Sequence, residues 1–410
     1  MDLARYITSK SLSRRNFLLS LSAFGLTSTA LAAAPMRKRF AYVGTYSGAV
    51  GNGGSGEGIY LFEMHRETGA LSLIRLASKA ANPSCLALHP TQKYLFAGNE
   101  ITSYPDGTEK GGSVTAYAID GASGNLTLLN TVSSKGAGPA HISVDHTGQY
   151  LFVANYDNGS VAVLPIHSDG TLGAATDAHQ DTGAVGPRQA TSAPQGSFAI
   201  SGHDRPHAHM ILPSPDNKFV LYTDLGQDRV YVCSFDATKG KLTAAIEPFA
   251  SLPPGDGPRH FAFHPNGQWL YSIQEEGSTI VFFHFDLQTG RLTSKQTIST
   301  LSEGFRGTNF TSEILISSDG RFLYGANRLH DTIAVFAIGA NGRLTWLDET
   351  PTQGDYPAAF NIEPSGNFLY ACDLRSDVIA CFRIDRHTGL LKFTGNYTGT
   401  GSPGSIVFLA

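Results

Sequence analysis

One pattern of apolar and polar positions recurs along the chain. An apolar run with an aromatic centre ends in a polar residue, and six copies of it are closely similar. They are YLFAGNE from Tyr94, YLFVANY from Tyr150, FVLYTDL from Phe219, WLYSIQE from Trp269, FLYGANR from Phe322 and FLYACDL from Phe368. FAYVGTY from Phe40 is a looser seventh copy. Short alternating runs separated by Gly, Asn and Asp turns are typical of β-strands and hairpins.

Each aromatic run lies in a unit of four predicted strands. A strand that follows a proline comes first, the aromatic strand second, and two further strands complete the unit. Antiparallel four-strand units that recur about every 50 residues are typical of propeller blades. The pattern therefore predicts an all-β fold over residues 38–410, a seven-bladed β-propeller of four-stranded antiparallel blades.

The two ends of the repeat region predict how the ring closes. The repeats begin with a second strand at Phe40 and end with a first strand at Pro403–Leu409. One blade must then be built from both termini, which would cover two open sheet edges. We number it blade 1 and count the other blades in chain order. One long departure from the repeat, Ser168–His203, is rich in Gly, Ala, Ser and His. We predict it to be an inserted loop between blades 3 and 4.

Comparing the copies position by position identifies candidate functional residues. In each blade, the start of the first strand and the end of the second strand lie on the same face of the propeller. Residues at these two places therefore converge on one mouth of its central channel. We count from the aromatic residue that opens each second strand. Ten positions before it, four copies have a small residue, whereas His209 and Arg259 are large and polar. Six residues after the aromatic, charged residues occur in three copies. They are Glu100, Glu275 and Arg328.

Blades 4 to 6 thus predict a catalytic site at one mouth of the channel. Its members are His209, Arg259, Glu275 and Arg328. Arginine can bind an anionic group or stabilise an oxyanion, and His or Glu can accept a proton from water. These residue types favour acyl chemistry on a small anionic substrate. The alternative is a Glu–Arg network that only braces blades 5 and 6.

Other polar residues of the repeat are weaker candidates. Strand alternation predicts that His141, His260 and Glu313 point away from the channel residues. Neither a cofactor nor a metal is predicted, because the histidines at 179, 203, 207 and 209 have no regular ligand spacing and no phosphate-binding loop occurs.

Composition agrees with a globular domain and argues against a nucleic-acid partner. The chain has 41% apolar and 16% charged residues and a formal net charge of −4. No basic stripe with interleaved aromatics occurs, so a nucleic-acid partner is not expected. Cys85, Cys233, Cys372 and Cys381 lie in apolar strand patterns and are expected to be small core residues, with a disulfide as the alternative.

The N-terminus predicts export. Ser13-Arg14-Arg15-Asn16-Phe17-Leu18 precedes a mildly apolar run that ends in Ala32-Ala33-Ala34. This arrangement is typical of a twin-arginine signal over residues 1–34 and predicts a periplasmic protein with no membrane partner after cleavage. A short membrane anchor is the alternative.

Several segments carry a family resemblance. GPRHFAFHPNGQWLYSIQEEGST from Gly257, GPAHISVDHTGQYLFVANYDNGSV from Gly138 and GFRGTNFTSEILISSDGRFLYGANRLHDTIAVF from Gly304 are similar to the seven-bladed propeller lactonases. That family includes bacterial 6-phosphogluconolactonases and fungal muconate lactonizing enzymes. The resemblance covers residues 40–410 and implies opening or closure of a lactone ring without a metal or cofactor.

The family's proposed site residues correspond to the same four positions. The resemblance places them at His209, Arg259, Glu275 and Arg328. Many relatives have Asn where this chain has Gln274 and Ser where it has Met210. Glu275 or His209 would activate water, one arginine would polarise the carbonyl, and the other would hold an anionic group.

The sequence is compatible with two main functions. The first is a sugar-lactone hydrolase resembling 6-phosphogluconolactonase, for which export would make free aldonolactones a more natural substrate than phosphorylated ones. The second is a non-catalytic periplasmic binding or scaffold propeller that uses the Ser168–His203 insertion. A muconate-type lactonizing enzyme is a further alternative.

Overall fold

The computed structural model describes residues 39–48, 54–103 and 110–410. The predicted export signal, residues 1–34, lies outside these ranges. The described residues form 28 β-strands in seven four-stranded antiparallel sheets, and they contain no helix. In this part of the chain, therefore, no helix is long and apolar enough to cross a membrane.

The strands of each blade are given from the channel outwards. Blade 1 consists of β28 (Pro403–Leu409), β1 (Arg39–Thr45), β2 (Gly58–Met64) and β3 (Leu71–Lys79). Blade 2 consists of β4 (Cys85–Leu88), β5 (Tyr94–Asn99), β6 (Ser113–Ile119) and β7 (Leu126–Ser133). Blade 3 consists of β8 (Pro139–Val144), β9 (Tyr150–Asn155), β10 (Ser160–Pro165) and β11 (Asp177–Gln180).

The remaining four blades have the same plan. Blade 4 consists of β12 (Ala208–Pro213), β13 (Phe219–Asp224), β14 (Arg229–Asp236) and β15 (Lys241–Ser251). Blade 5 consists of β16 (Pro258–Phe263), β17 (Trp269–Gln274), β18 (Thr279–Phe285) and β19 (Leu292–Ser299). Blade 6 consists of β20 (Thr311–Ile316), β21 (Phe322–Asn327), β22 (Thr332–Ile338) and β23 (Leu344–Pro351). Blade 7 consists of β24 (Pro357–Ile362), β25 (Phe368–Asp373), β26 (Val378–Ile384) and β27 (Leu391–Gly399).

The seven innermost strands contact one another in a closed ring. Blade 1 is closed by the pairing of β1 with β28, in which Tyr42 lies opposite Val407. The prediction of a seven-bladed propeller with one blade built from both termini is therefore confirmed. Closure matters for the site because the start of each innermost strand is held at a set place around the channel.

The core is divided into seven apolar clusters, each between two neighbouring blades. Tyrosines of several second strands reach across these interfaces. The Tyr324 hydroxyl donates to the Gly389 carbonyl at 2.9 Å and the Tyr271 hydroxyl donates to the Gly342 carbonyl at 2.7 Å. Gly389 has a φ of 76°, and a Cβ there would lie 2.3 Å from the Phe322 ring. The glycine that opens the fourth strand is thus required by the close contact between blades.

The four cysteines, all in the described ranges, are free thiols. Cys372 and Cys381 are buried and pack in one apolar cluster, as expected of small core residues. Cys85 and Cys233 are only partly buried. The alternative of a disulfide is not present in this structure.

The insertion between blades 3 and 4 is shorter than predicted. Residues 177–180 of the predicted loop form β11, the outer strand of blade 3, with His179 opposite Val161 of β10. The segment is polar, but strand pairing at an outer edge depends on main-chain hydrogen bonds and does not need apolar side chains. The part that leaves the blade plan therefore begins after Gln180.

Six of the seven innermost strands carry a β-bulge near their start. In β16, Pro258 lies opposite Gln274 and His260 opposite Ile273, so Arg259 is an extra residue. In β12, His209 is extra in the same way. A bulge interrupts the alternation of side chains and re-aims them. The two large polar residues singled out in the first strands are both bulge residues.

Candidate active site

Residues from all seven blades line one cavity of about 480 Å³ at the channel. All four predicted site residues line it: His209, Arg259, Glu275 and Arg328. The structure therefore brings together the residues that the comparison of the copies selected.

Main-chain hydrogen bonds place the second-strand residues beside the first strands. Glu275 follows β17 directly, and its N–H donates to the Gly257 carbonyl at 2.7 Å, next to the start of β16. Arg328 follows β21, and its N–H donates to the Phe310 carbonyl at 2.6 Å, next to the start of β20. These bonds bring the end of a second strand and the start of a first strand to the same mouth.

Glu275 lies between two arginines. Its Oε2 is 3.1 Å from Arg259 Nε and 2.5 Å from Arg328 Nη2. The three side chains are only 8–11% exposed. Burial opposes ionisation of Glu275, but the guanidinium groups of Arg328 and Arg259 outweigh it and lower the pKa of this carboxyl. The cluster is therefore a carboxylate held between two cations.

The two guanidinium groups also make hydrogen bonds outside the ion pair with Glu275. Arg259 Nη1 donates to the Ser312 carbonyl at 2.7 Å, and Arg328 Nη1 donates to the Tyr356 hydroxyl at 3.1 Å. Arg259 Nε and Arg328 Nη2 share Glu275 Oε2, whereas Arg328 Nε has no acceptor among the described residues. A buried donor without an acceptor is costly. Arg328 Nε can thus donate to an oxygen that the described residues do not supply.

His209 lies in the wall of the same cavity. Its ring packs edge-on against Tyr156, with 5.4 Å between the ring centroids. Its Nδ1 has no hydrogen-bond partner in the described part of the chain. Burial, followed by the nearby Arg259, His260 and Arg328, holds the pKa of His209 well below its usual value, so the ring is neutral at pH 7.

The prediction that His141, His260 and Glu313 point away from the channel is wrong. All three line the cavity, and His260 Nδ1 lies 2.9 Å from Glu313 Oε1. The bulge is the physical reason: it lets consecutive residues of β16, Arg259 and His260, face the same space. Strict two-residue alternation does not apply where a strand carries an extra residue.

The histidines of the cavity pack against one another. His260 contacts His209 and His141 edge-on, with centroid distances of 5.0 and 5.6 Å. Within the described ranges, no group of three or more His, Cys, Asp or Glu side chains is arranged to hold a metal ion. The three rings therefore form an aromatic contact rather than a ligand set.

The insertion supplies a residue that the sequence comparison missed. The Ser201 hydroxyl donates to Glu275 Oε1 at 2.8 Å and lies 2.6 Å from Glu276 Oε1. The loop also crosses to blade 6, where the Phe198 N–H donates to Thr308 Oγ1 at 3.0 Å. Because the insertion has no counterpart in the other blades, no comparison between copies could have selected Ser201.

His203 anchors the end of this loop. Its two ring nitrogens lie 3.1 Å from Asp228 Oδ1 and 3.2 Å from Glu276 Oε1. Burial works against the charged form, but the hydrogen bonds with Asp228 and Glu276 raise the pKa of His203 to about 10. At neutral pH, a buried imidazolium bridges two carboxyl groups and holds Ser201 beside Glu275.

Glu100 is a second acidic residue of the cavity. Its Oε2 accepts hydrogen bonds from the Ser84 hydroxyl at 2.6 Å and the Tyr46 hydroxyl at 2.9 Å. Burial raises the pKa of this carboxyl. The sequence offered a signal for it, because Glu100 is one of three charged residues six positions after the aromatic. Its blade is not next to blades 4 to 6, so the comparison of neighbouring blades does not select it.

Comparison with known proteins places the chain in a family. The family model described as "Lactonase, 7-bladed beta-propeller" matches residues 40–408. A 6-phosphogluconolactonase of Bacillus subtilis is 34% identical over 375 residues, which cover 91% of this chain and 99% of that protein. A 6-phosphogluconolactonase of Formosa agariphila is 30% identical over 344 residues, covering 82% of this chain and 91% of that protein.

A solved structure gives the same result. The periplasmic gluconolactonase of Pseudomonas aeruginosa superimposes with a TM-score of 0.79 at 31% sequence identity. The superposition covers 91% of this chain and 99% of that one. The fold, the match over residues 40–408 and these relatives agree, and the chain belongs to the family of seven-bladed β-propeller lactonases.

Proposed function

We propose that this protein hydrolyses a sugar-derived lactone and that Arg259, Glu275 and Arg328, together with His209, form its catalytic site. The observation that carries the proposal is a pair of buried guanidiniums in the channel cavity, one of which has an N–H group without an acceptor among the described residues. Membership of the lactonase family and relatives described as 6-phosphogluconolactonase and gluconolactonase support it.

The arginine pair supplies what ester hydrolysis requires. When water adds to a lactone carbonyl, negative charge develops on the carbonyl oxygen, and fixed cationic donors stabilise that charge. The fixed guanidiniums of Arg259 and Arg328, and the Arg328 Nε donor above all, fit this role. Glu275 holds both guanidiniums in place before substrate arrives, so no reorganisation is required during the reaction. Because the positive charge comes from arginines, we propose that no metal is needed.

The charges of the cavity favour an uncharged sugar lactone. Both arginines already share Glu275, and the other acidic residues of the lining are Glu100 and Glu313. A phosphate group would therefore enter a cavity that has no spare cation among the described lining residues and that also contains Glu100. This arrangement favours a free aldonolactone over the anionic substrate expected from the sequence, since polyol hydroxyls can bind carboxylate and tyrosine oxygens.

The proposed location agrees with such a substrate. We propose that residues 1–34 direct export by the twin-arginine route and that the propeller of residues 38–410 works in the periplasm. The motif Ser13-Arg14-Arg15-Asn16-Phe17-Leu18 supports the route, and the Pseudomonas aeruginosa relative is described as periplasmic. Replacing Arg14 and Arg15 by lysine should leave the protein in the cytoplasm of fractionated cells. Equal periplasmic yield would rule out the twin-arginine route.

A substrate panel tests the function directly. The purified protein is assayed in a pH-stat with glucono-1,5-lactone, its 6-phosphate and a muconolactone, each corrected for spontaneous hydrolysis. We expect turnover of both sugar lactones, a higher kcat/KM for the uncharged one, and no loss of activity after dialysis against EDTA. Failure to exceed spontaneous hydrolysis with every lactone would reject the enzyme and favour the scaffold alternative.

A further inference from the structure

We propose that His260, held by Glu313, is the group that accepts the proton from the attacking water. This inference rests on the proposed lactone hydrolysis and assigns its proton transfer to a pair of residues outside the four selected from the sequence. We refer to His260 and Glu313 as the His–Glu pair. His260 would be a catalytic residue, and Glu313 would be a positioning residue.

Glu275 is poorly suited to accept a proton. Its Oε2 contacts two guanidiniums, and its Oε1 accepts a hydrogen bond from Ser201. Each of these contacts stabilises the ionised form, so protonation of the carboxylate would weaken both ion pairs and the hydrogen bond together. A base should instead have a free lone pair and a pKa near the working pH. Glu275 therefore serves to hold the arginines.

His260 has the geometry of an oriented base. A carboxylate only accepts hydrogen bonds, so the 2.9 Å contact with Glu313 Oε1 places the ring proton on His260 Nδ1. The lone pair is then on Nε2, which has no partner among the described residues although the ring is buried. Glu313 is itself held, because its Oε1 also accepts the Ile314 N–H at 3.1 Å. The tautomer required of a base is therefore set before substrate binds.

The other two histidines of the cavity lack such an orienting group. No carboxylate contact to His209 or His141 is found in the described ranges; His141 Nδ1 only accepts a weak hydrogen bond from the Ile211 N–H at 3.4 Å. Because a carboxylate partner fixes the ring and stabilises the imidazolium that forms, His260 is favoured over both.

Burial and the surrounding charges determine the protonation state of His260. Burial lowers its pKa, Glu313 raises it, and Arg259 and Arg328 lower it again, with a net pKa below the usual value. The ring is thus neutral at pH 7. The charged or titratable groups that face it from neighbouring strands and turns are the following: Glu313, Arg259, Arg328, His209 and His141.

The proposed steps conserve atoms and charge. Water transfers a proton to His260 Nε2 as its oxygen bonds to the lactone carbonyl carbon, and the carbonyl π electrons move to the oxygen that the arginines hold. The carbonyl then reforms, the bond from that carbon to the ring oxygen breaks, and the imidazolium proton passes to the ring oxygen. The product is a hydroxy acid, and His260 is neutral again.

Two variants and a matched control pair test the proposal on the full protein. His260→Gln should lower kcat roughly 100-fold or more. Glu313→Gln should lower kcat and move the acid limb of the kcat/KM profile to lower pH, because the carboxylate that raises the pKa of His260 is gone. His330 and Glu349 form a second pair, with 3.2 Å between Nε2 and Oε1, outside the cavity lining. The same substitutions there should leave kcat within twofold.

Further measurements separate a chemical role from a structural one. His260→Ala should regain part of its activity with added imidazole, whereas a purely structural role gives no such rescue. Wild-type activity and an unchanged pH profile in Glu313→Gln, or in His260→Gln, would overturn the His–Glu pair while leaving lactone hydrolysis intact. A wild-type protein that hydrolyses no lactone would overturn the proposed function, and this inference with it.

Discussion

Replacing Glu275 by glutamine removes the one negative charge between two buried guanidiniums. Glutamine keeps the shape and one carbonyl oxygen of the side chain, so the change acts mainly on charge. Arg259 and Arg328 would then face each other without the carboxylate that is now 3.1 and 2.5 Å from them. All three side chains are about nine-tenths buried, so water can replace little of the lost interaction. The variant should therefore be less stable and less active.

The magnitude follows from burial. Removing one partner of a buried ion pair costs about 3–5 kcal/mol, because a charge is left without compensation. In a domain of this size each kcal/mol lowers Tm by roughly 2 °C, so we expect a drop of roughly 5–10 °C. Losing a single oxyanion donor costs about 100- to 1000-fold in kcat. A loss of at least that size is expected when both arginines are displaced.

Urea unfolding and lactone turnover measure the two effects. The intrinsic fluorescence of Trp269 and Trp346 reports unfolding. Glu247→Gln is the matched control, since Glu247 pairs with Arg291 at the surface, where the side chains are 47% and 59% exposed. Its effect on stability should stay below about 1 kcal/mol.

A double variant shows whether charge is the cause. Adding Arg328→Gln to Glu275→Gln removes one of the two unpaired cations, so part of the lost stability should return. Equal midpoints and equal kcat for Glu275→Gln and Glu247→Gln would refute the reasoning. Lower stability with unchanged kcat would instead make the cluster a brace between blades, the alternative considered from the sequence.

Three further predictions concern single side chains. Glu100→Gln should raise kcat/KM for a 6-phosphorylated lactone relative to the free lactone by roughly fivefold, since one like charge is removed; an unchanged ratio in the substrate panel would contradict the charge argument. His203 has its pKa raised to about 10, so the folded state holds its proton more tightly than the unfolded chain. Its contribution to stability is then complete below about pH 6.5 and lost as pH rises towards 10. The stability gap between wild type and His203→Gln in urea unfolding should therefore narrow from pH 6 to pH 9.5, and a constant gap would exclude a charged His203. Tyr324→Phe removes the 2.9 Å bond to the Gly389 carbonyl and should cost about 1–2 kcal/mol in urea without changing KM; a changed KM would show that blade contacts reach the site.

Much of the architecture could be predicted because each blade repeats the same local pattern. Six copies of the aromatic strand specify the blade, and the order of strands at the two ends specifies closure. The same repetition made Arg259 and Glu275 visible as departures from their copies. The outer strand at Asp177–Gln180 lies within the segment predicted as a loop, because an outer edge pairs through the main chain and leaves no apolar pattern.

The site could be predicted only in part, because two of its features do not follow the repeat. Ser201 reaches Glu275 from an insertion that has no counterpart in other blades. His260 and Glu313 were expected to face away, yet they line the cavity because the inner strands carry bulges. A bulge leaves no mark in a pattern of apolar and polar residues, since it depends on how one strand pairs with the next.

The sequence by itself determined the number of blades, the closure by both termini and the convergence of Arg259, Glu275 and Arg328, because these depend on period and position within a repeat. Only the tertiary structure decided which side chains are in contact. It joined one carboxylate to two arginines, placed Glu313 against His260 and brought Ser201 of the inserted loop to Glu275. Those contacts join residues far apart in the chain, and their geometry is set by bulges and packing between blades, which no single segment encodes.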